Sequence, residues 1–136
     1  MSERKEHFGF VSYDTVSAVY AIINKKKKAI YIGKSEDLNE RLGQHYNALK
    51  RGKHPSKLMQ KHFDWGCDFK AIILKRVEKK ERDSLLMWED FFIECARAKI
   101  IKLYNSKSVK DSAQAYFMRA CLNLPECKPL LNIFKQ

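Results

Sequence analysis

Two tyrosines lie in what the sequence predicts to be the two strands of a β-hairpin. Tyr20 falls in the continuous apolar run of residues 15–23, and Tyr31 falls in the shorter run of residues 29–33. Such runs are typical of buried strands, and a short polar loop between them is typical of a hairpin. If the loop closes symmetrically, Tyr20 lies opposite Tyr31, and both phenols point to the same face with Cβ atoms ~5 Å apart. The pair is then either an ordinary aromatic contact between strands or two hydroxyl groups that converge on one point.

An arginine and a histidine follow, about one helical turn apart. The helix is predicted to begin at Ser35, and Arg41 and His45, at i and i+4, share one of its faces at the margin of the apolar stripe. An arginine at such a border commonly only extends its charge into solvent. Its planar guanidinium can also bind a phosphate oxygen through two hydrogen bonds, and an imidazole can accept or pass on a proton near neutral pH. The residues alone leave both interpretations open.

A carboxylate is predicted to lie within an apolar helix surface. The most periodic part of the chain predicts a long helix over residues 79–103 with one apolar stripe. Glu89 projects into the middle of that stripe, whereas Glu94 lies on the opposite side. Because burying a carboxylate without a partner costs several kcal/mol, Glu89 needs a cation or a network of hydrogen bonds. The cation is either a lysine or arginine in a structural ion pair or a divalent metal ion.

These residues occur in an order that resembles the GIY-YIG nuclease family. Residues 18–20 (AVY) and 31–35 (YIGKS) are similar to the paired motif that names the family, with alanine and valine in place of the first glycine and isoleucine. Arg41, with His45 four residues later, is similar to the family's arginine followed by a histidine or tyrosine. The resemblance covers about residues 15–105.

The resemblance also implies a metal ligand and an asparagine. Residues 86–93 (LMWEDFFI) are similar to the family's metal-binding segment, which makes Glu89 the expected ligand of Mg²⁺ or Mn²⁺. The family carries an asparagine after this helix. Asn105, in a Tyr-Asn pair, is preferred for that position over Asn132, which lies in a later segment similar to another form of the motif. For either asparagine, an ordinary turn or capping role is the alternative.

The activity that the resemblance implies is hydrolysis of DNA phosphodiester bonds by an endonuclease with a single divalent metal ion. Tyr20 would orient or deprotonate the attacking water, Arg41 would stabilise the charge on the phosphate, and Tyr31 would position the water or the phosphate. Lys34 and His45 would assist. The alternative is a non-catalytic nucleic-acid-binding or assembly module with the same fold. The predicted catalytic residues are Tyr20, Tyr31, Arg41, His45, Glu89 and Asn105.

The charge of the chain predicts a polyanionic partner. The 27 Lys and Arg residues exceed the 16 Asp and Glu residues, which gives a net charge of +11, and nucleic acid is the commonest partner of a basic domain. The basic residues are spread over loops and helices, which favours DNA over a membrane surface. No apolar run approaches the ~20 residues of a membrane span and the charged start is not a signal peptide, so we expect an intracellular protein that is not secreted. The predicted nucleic-acid contacts are Lys25, Lys26, Lys27, Lys28, Lys34, His54 and Asn132.

The elements that must position these residues predict a mixed α+β fold. A small sheet of three mainly antiparallel strands, the third over residues 69–77, is flanked by helices. An N-terminal extension of residues 1–14 precedes a nuclease domain of residues 15–105. A C-terminal extension of residues 106–136, with a last helix over residues 111–124, is expected to pack on the same domain and is a candidate homodimer contact.

Overall fold

A sheet of four strands forms the centre of the computed structural model, which describes residues 5–105 and 124–135. The strand order is β3-β1-β2-β4. The mixed α+β class is confirmed, but the expected number of three strands is wrong. In chain order the elements are β1 (Ala18–Asn24), β2 (Ala29–Ser35), α1 (Leu38–Lys50), α2 (Lys57–Asp64), β3 (Lys70–Arg76), α3 (Leu85–Ala98), β4 (Lys102–Leu103) and α4 (Lys128–Leu131), with short 3-10 turns at Lys79–Ser84, Pro125–Cys127 and Ile133–Lys135.

Helices cover both faces of the sheet. Alternate side chains of a strand point to opposite faces, so β1 contributes to two separate cores. Ala18, Tyr20 and Ile22 pack with residues of α1 and α2 on one face. Val19 and Ala21 pack with residues of α3 and the C-terminal segment on the other. The face that carries Tyr20 is therefore the face of α1 and α2.

The register of the β1–β2 hairpin differs from the predicted one. Tyr20 lies opposite Gly33, and Tyr31 lies opposite Ile22. The expected direct pairing of the two tyrosines is wrong by two residues. Because the side-chain period of a strand is two, a shift of two residues leaves every side chain on its face. Both tyrosines therefore still point to the side of α1 and α2, in a diagonal arrangement.

The hairpin loop explains the shift. Symmetric closure would have paired Ile23 with Lys28, but the strands continue to a pair between Asn24 and Ala29. The side-chain oxygen of Asn24 accepts a hydrogen bond from the backbone N–H of Lys27 at 3.1 Å. Lys28 turns the chain back with a positive φ of 52°. The turn thus needs one residue in the left-handed conformation and one side chain that caps the loop, and a run of lysines predicts neither.

Helix α1 begins slightly later than expected. Ser35 was predicted as its first residue, but the N-cap is Asp37, whose side chain accepts from the backbone N–H of Glu40. The Ser35 hydroxyl instead forms a turn with Asp37, donating to its carbonyl oxygen at 2.8 Å and accepting from its N–H at 2.9 Å. Gly52, with φ of 70°, follows the helix. A glycine suits this left-handed position after a helix end.

The predicted long helix over residues 79–103 is three separate elements. A 3-10 turn precedes α3, and Ile100 takes a positive φ of 60° that ends the helix and leads into β4. β4 pairs in parallel with Ala29 and Ile30 of β2. The apolar stripe ran on past the end of α3 because Ile101 and Leu103 pack against the same core as α3, which the pattern cannot separate. The 3-10 turn before α3 has no buried residue.

The predicted orientation of α3 is also corrected. Glu94, which was expected opposite the buried stripe, is only 5 % exposed, whereas Glu89 is half-buried. All of residues 92–96 are buried, which is a full turn of the helix. The C-terminal segment packs on this helix, and the Cys95 and Cys127 sulfur atoms lie 3.3 Å apart. Glu94 forms an ion pair with Arg97 at 3.2 Å.

Within residues 5–105 and 124–135, no helix has both the length and the apolar composition to cross a membrane. The helix predicted over residues 111–124 falls almost wholly outside the described residues, and the homodimer contact expected in residues 106–136 stays a prediction.

Candidate active site

Tyr20 is positioned by the strands on either side of it. Its side chain is fully buried, and its ring lies across Gly33 of β2, where an added Cβ would overlap the Tyr20 hydroxyl. On its other side, the register between β1 and β3 shifts between Val19 and Tyr20, because Leu74 is an extra residue in β3. Such a bulge re-aims the neighbouring side chains. Gly33 is therefore needed for close approach by Tyr20.

Two histidines continue from the Tyr20 hydroxyl in a chain of short hydrogen bonds. The Tyr20 oxygen lies 2.7 Å from Nε2 of His45, and Nδ1 of His45 lies 2.8 Å from Nε2 of His54. Nδ1 of His54 accepts a hydrogen bond from the backbone N–H of Ser56 at 3.0 Å. Both imidazoles are buried and stack with ring centroids 5.1 Å apart. The chain thus joins a strand, α1 and the N-terminus of α2.

The direction of this hydrogen-bond chain follows from its backbone end. Ser56 N–H can only donate, so Nδ1 of His54 is an acceptor and carries no proton. Burial lowers the pKa of both histidines, with the Arg41 charge as the second cause, and the pKa of His45 falls to about 3. A neutral His54 then donates from Nε2 to His45, and a neutral His45 donates from Nε2 to Tyr20. The Tyr20 oxygen is the acceptor at the end of the chain, and its own proton is available to another group.

Arg41 is a second donor to the same oxygen. Its guanidinium hydrogen-bonds the Tyr20 hydroxyl and also donates to the Gln44 side chain at 3.0 Å. Burial raises the pKa of Tyr20 above its usual range, and the positive charge of Arg41 opposes this effect without cancelling it. Tyr20 is therefore a neutral phenol at neutral pH. The lowered pKa that a tyrosine base requires is not present in this state.

Tyr31 packs against the rings of both histidines. The ring centroids of Tyr31 and His45 are 4.8 Å apart, and those of Tyr31 and His54 are 5.8 Å apart, both in edge-to-face geometry. Tyr31 also contributes to the raised pKa of Tyr20. The two tyrosines that were expected to face each other directly are thus brought together around a shared histidine.

Glu89 reaches this cluster from the opposite helix layer. Its charge is among the causes that raise the pKa of Tyr20, although the smallest of them. Among the described residues, β4 pairs only with Ala29 and Ile30 at one end of β2. α3, which carries Glu89, packs closely on β2. Glu89 therefore comes from a helix that packs on the strand of Tyr31 and Gly33.

The donor set around Glu89 fits one kind of metal site. Among the described residues, no group of three or more His, Cys, Asp or Glu side chains could hold a metal ion by itself. Mg²⁺ keeps several waters and is commonly bound through one or two carboxylates together with substrate phosphates. A half-buried carboxylate beside hydroxyl groups suits such an incomplete site, in which substrate and water supply the remaining ligands. It does not suit zinc, which takes three or four protein ligands.

Asn105 acts on the backbone of β2. Its side-chain oxygen accepts from the backbone N–H of Ile32 at 2.8 Å, and its side-chain nitrogen donates to the carbonyl oxygen of Ile32 at 2.6 Å. The amide thereby continues the parallel pairing that β4 began. Ile32 is the neighbour of both Tyr31 and Gly33 in the chain. Asn105 therefore holds the part of β2 that carries the site.

Lys34 lines a cleft that also includes the first turn of α3, the helix that carries Glu89. The cleft has a volume of about 510 Å³ and lies between the end of β2 and the start of α3. Arg82, which sequence reasoning missed, lines it as well and forms an exposed ion pair with Glu36 at 4.0 Å. Only the basic character of the segment before α3 could have indicated Arg82. Ser56 was missed as a partner of His54 because it acts through its backbone.

The other residues predicted to contact nucleic acid are the lysines of the hairpin loop, Asn132 and His54. The exposed loop Lys25–Lys28 is at the far end of the hairpin from Tyr20. Asn132 ends α4, on the α3 face of the sheet, and its side chain donates to the carbonyl oxygen of Lys128 at 3.3 Å. His54 is 6 % exposed with both ring nitrogens bonded inside the protein.

Comparisons with known proteins agree with this geometry. The model of the GIY-YIG catalytic domain matches residues 16–107. Intron-associated endonuclease 1 of Enterobacteria phage T4 is 31 % identical over 85 residues, which are 62 % of this chain and 34 % of that protein. The chain therefore spans about a third of the length of this relative.

Solved structures with a similar fold point to the same family. The catalytic domain of the homing endonuclease I-TevI is similar with a TM-score of 0.59 and 29 % identity, over 68 % of this chain and 99 % of that domain. A glutamate-to-alanine mutant of that catalytic domain is similar with a TM-score of 0.60 and 28 % identity, over 70 % of this chain and 97 % of the other. The chain belongs to the GIY-YIG catalytic domain family.

Proposed function

We propose that this protein is an endonuclease that hydrolyses DNA phosphodiester bonds with one divalent metal ion. The observation that supports it most directly is the convergence of charge and hydrogen bonding on the Tyr20 hydroxyl. That oxygen accepts from His45 and Arg41, and its pKa responds to Tyr31 and Glu89. The relatives named as endonucleases and the net charge of +11 support the assignment of DNA as substrate.

Tyr20 positions the attacking water. Because the two donors from His45 and Arg41 occupy its oxygen lone pairs, the phenol proton points away from them and can be donated to a water or a phosphate oxygen. The same two donors would stabilise a phenolate if the proton were lost. Since burial keeps Tyr20 neutral in the resting protein, orientation of the water is its first role, and Tyr31, which packs on the His45 ring, assists it.

His45 and His54 are positioning residues for Tyr20. A pKa of about 3 makes His45 a poor proton acceptor at neutral pH, and its ring nitrogens are already engaged. The histidines therefore hold the tyrosine oxygen in place and keep its proton directed into the site. The role suggested for His45 from the sequence, the exchange of a proton, is not the one that this geometry favours.

Arg41, and a metal ion held by Glu89, would compensate the negative charge on the phosphate. We infer that the Arg41 guanidinium, whose positive charge acts on Tyr20, also holds a phosphate oxygen. Glu89, with waters and phosphate oxygens, would hold Mg²⁺ or Mn²⁺. When bound, the cation would neutralise negative charge and stabilise the leaving oxygen. Lys34 in the adjacent cleft supplies a further positive charge for the backbone of the DNA.

The test is a substitution of Glu89 by glutamine, which keeps the shape and removes the charge. We expect Glu89→Gln to reduce Mg²⁺-dependent nicking of plasmid DNA by at least ~10³-fold, because metal and oxyanion contacts contribute several kcal/mol to the transition state. DNA affinity in EDTA and the thermal unfolding midpoint should stay close to those of the wild type.

Asp90→Asn is the matched control, because it makes the same charge change at the next, exposed position of α3. It should cut at nearly the wild-type rate. If Glu89→Gln nicks DNA as fast as Asp90→Asn, Glu89 does not hold the metal. If the wild-type protein binds DNA but never cuts it with any divalent cation, the chain is instead a binding module with this fold.

A further inference from the structure

An exposed tryptophan lies at the end of α2, beneath two lysine side chains. Trp65 is the C-cap of α2 and is 58 % exposed. The Nζ atoms of Lys27 and Lys61 lie 5.2 Å and 5.0 Å from the centre of its ring. Both ammonium groups lie within 6 Å of the ring centre, in cation–π geometry. A ring flanked by ammonium groups matches the flat bases and negative phosphates of a nucleic-acid strand.

The surface around Trp65 is strongly basic. Burial is the largest cause that lowers the pKa of His62. The charges of Lys27, Lys102 and Lys61 lower it further, so these three lysines lie near this end of the molecule. Two acids, Asp64 and Asp68, belong to the same region, and Asp64 is hydrogen-bonded to Gln60. The six exposed lysines of this surface are Lys25, Lys26, Lys27, Lys28, Lys61 and Lys102. Positive charge therefore predominates around the ring.

The surface rests on a buried network of hydrogen bonds. The Tyr104 hydroxyl lies 2.6 Å from Nδ1 of His62 and accepts from the Asn24 side chain at 3.2 Å. These three buried residues come from β1, α2 and the segment after β4. The His62 ring in turn contacts Trp65 with centroids 5.5 Å apart. Trp65 is thus held by the folded core.

The position of the surface relative to the site suits one continuous substrate. Asn24 and Tyr20 lie on the same face of β1, four residues apart, which corresponds to ~13 Å along a strand. Trp65 lies beyond Asn24, to which Tyr104 and His62 connect it, so a DNA strand bound at Tyr20 would extend past this distance to reach the ring. Both features also lie on the side of α1 and α2.

We propose that Trp65 and its surrounding lysines bind an unpaired base in the flank of the DNA substrate, a few nucleotides from the cleavage position. Trp65 stacks on the base, and Lys27 and Lys61 move from the ring to the adjacent phosphates. The substrate would then be DNA with a single-stranded or unstacked flank beside the duplex that is cut. This inference deepens the proposed nuclease function and rests on it for the identity of the substrate.

The test measures binding in EDTA, so that it does not depend on cleavage. In a Trp88→Phe background Trp65 is the one remaining tryptophan. We expect its fluorescence to be quenched by a duplex with an unpaired flank more than by a fully paired duplex of the same length. The flanked DNA should also bind at least ~5-fold more tightly. Trp65→Ala should abolish this difference, and Trp65→Phe should retain most of it.

Lysine variants separate stacking from simple charge attraction. Lys27→Ala and Lys61→Ala should each reduce the slope of log affinity against log salt by about one. Lys128→Ala on the α3 face is the matched control and should leave the slope unchanged. If Trp65→Ala binds both DNAs like the wild type, the proposal is overturned, even if the lysine variants lose salt dependence. If the wild-type protein does not cleave DNA, the nuclease assignment is overturned. The binding measurements still decide whether Trp65 binds an unpaired base.

Discussion

At the scale of single residues, the site depends on how closely Tyr20 approaches the backbone of β2. Tyr20 is fully buried, and its hydroxyl lies where a Cβ at position 33 would be. The same hydroxyl accepts from His45 and Arg41. The glycine of the second motif is thus explained by the space that the Tyr20 side chain needs. Ala18 stands where the family motif has its first glycine. It is fully buried, and no glycine is needed there to make space.

We therefore predict that Gly33→Ala displaces the Tyr20 ring and breaks its hydrogen bond to His45. Cleavage should fall by at least ~10²-fold, because a small misplacement of a positioning group costs about that much. Gly43→Ala in α1 is the control, since its Cβ would meet the nearest atom, in His7, at an ordinary 3.4 Å. Nicking rates and thermal unfolding of both variants are the measurements. Equal rates for the two variants would show that Tyr20 needs no close approach.

At the scale of elements, the site depends on the edge of β2. β4 is only two residues long and pairs with Ala29 and Ile30. Beyond it, the side chain of Asn105 replaces a strand by bonding both backbone groups of Ile32. α3, which carries Glu89, packs on the same strand.

Substitution of the asparagines distinguishes their roles. Asn105→Ala removes two hydrogen bonds to Ile32, each worth ~0.5–1.5 kcal/mol, and leaves buried backbone groups without these partners. We expect it to lower the free energy of unfolding by about 1–3 kcal/mol and to slow cleavage through movement of Tyr31. Asn132→Ala, which loses one bond at the end of α4, should change neither by much. Urea unfolding and nicking assays would contradict this if Asn132→Ala had the larger effect.

At the scale of the whole molecule, three histidines are buried in a chain of net charge +11, and two of them, His45 and His54, form the hydrogen-bond chain from Tyr20. Burial lowers the pKa of His45 from 6.5 to about 3, and it lowers the pKa of His54 as well. The unfolded chain therefore binds more protons than the folded one below pH ~6.5. Stability rises with pH in that range and is lost as the pH falls towards the folded pKa.

Acidification should consequently destabilise the protein by up to ~1.4 kcal/mol per pH unit for each such histidine, between pH ~6.5 and the lower limit set by its folded pKa. His45→Gln removes one of these titrations and should flatten the dependence. The measurement is the free energy of unfolding in urea at pH 4.5, 5.5, 6.5 and 7.5. Identical pH slopes for the wild type and His45→Gln would contradict the lowered pKa of His45.

The sequence by itself determined the elements whose signals are local. The strands around Tyr20 and Tyr31, the third strand and helices α1 and α2 were all expected near their observed positions. Burial of a strand or a helix face requires apolar residues at fixed spacing, so the pattern is visible without the fold. The order of tyrosines, Arg41 and Glu89 was sufficient to indicate the family.

Only the tertiary structure decided what depends on contacts between distant residues. The hairpin register follows from the conformation of its loop, the strand β4 exists because Asn105 and Ile32 meet across 73 residues, and the burial of Glu94 follows from the C-terminal segment that packs on α3. A tyrosine that deprotonates water needs a lowered pKa, but the pKa of Tyr20 is raised, because desolvation exceeds the effect of Arg41. Register, solvation and long-range pairing are properties of the packed chain, and no short stretch of sequence carries them.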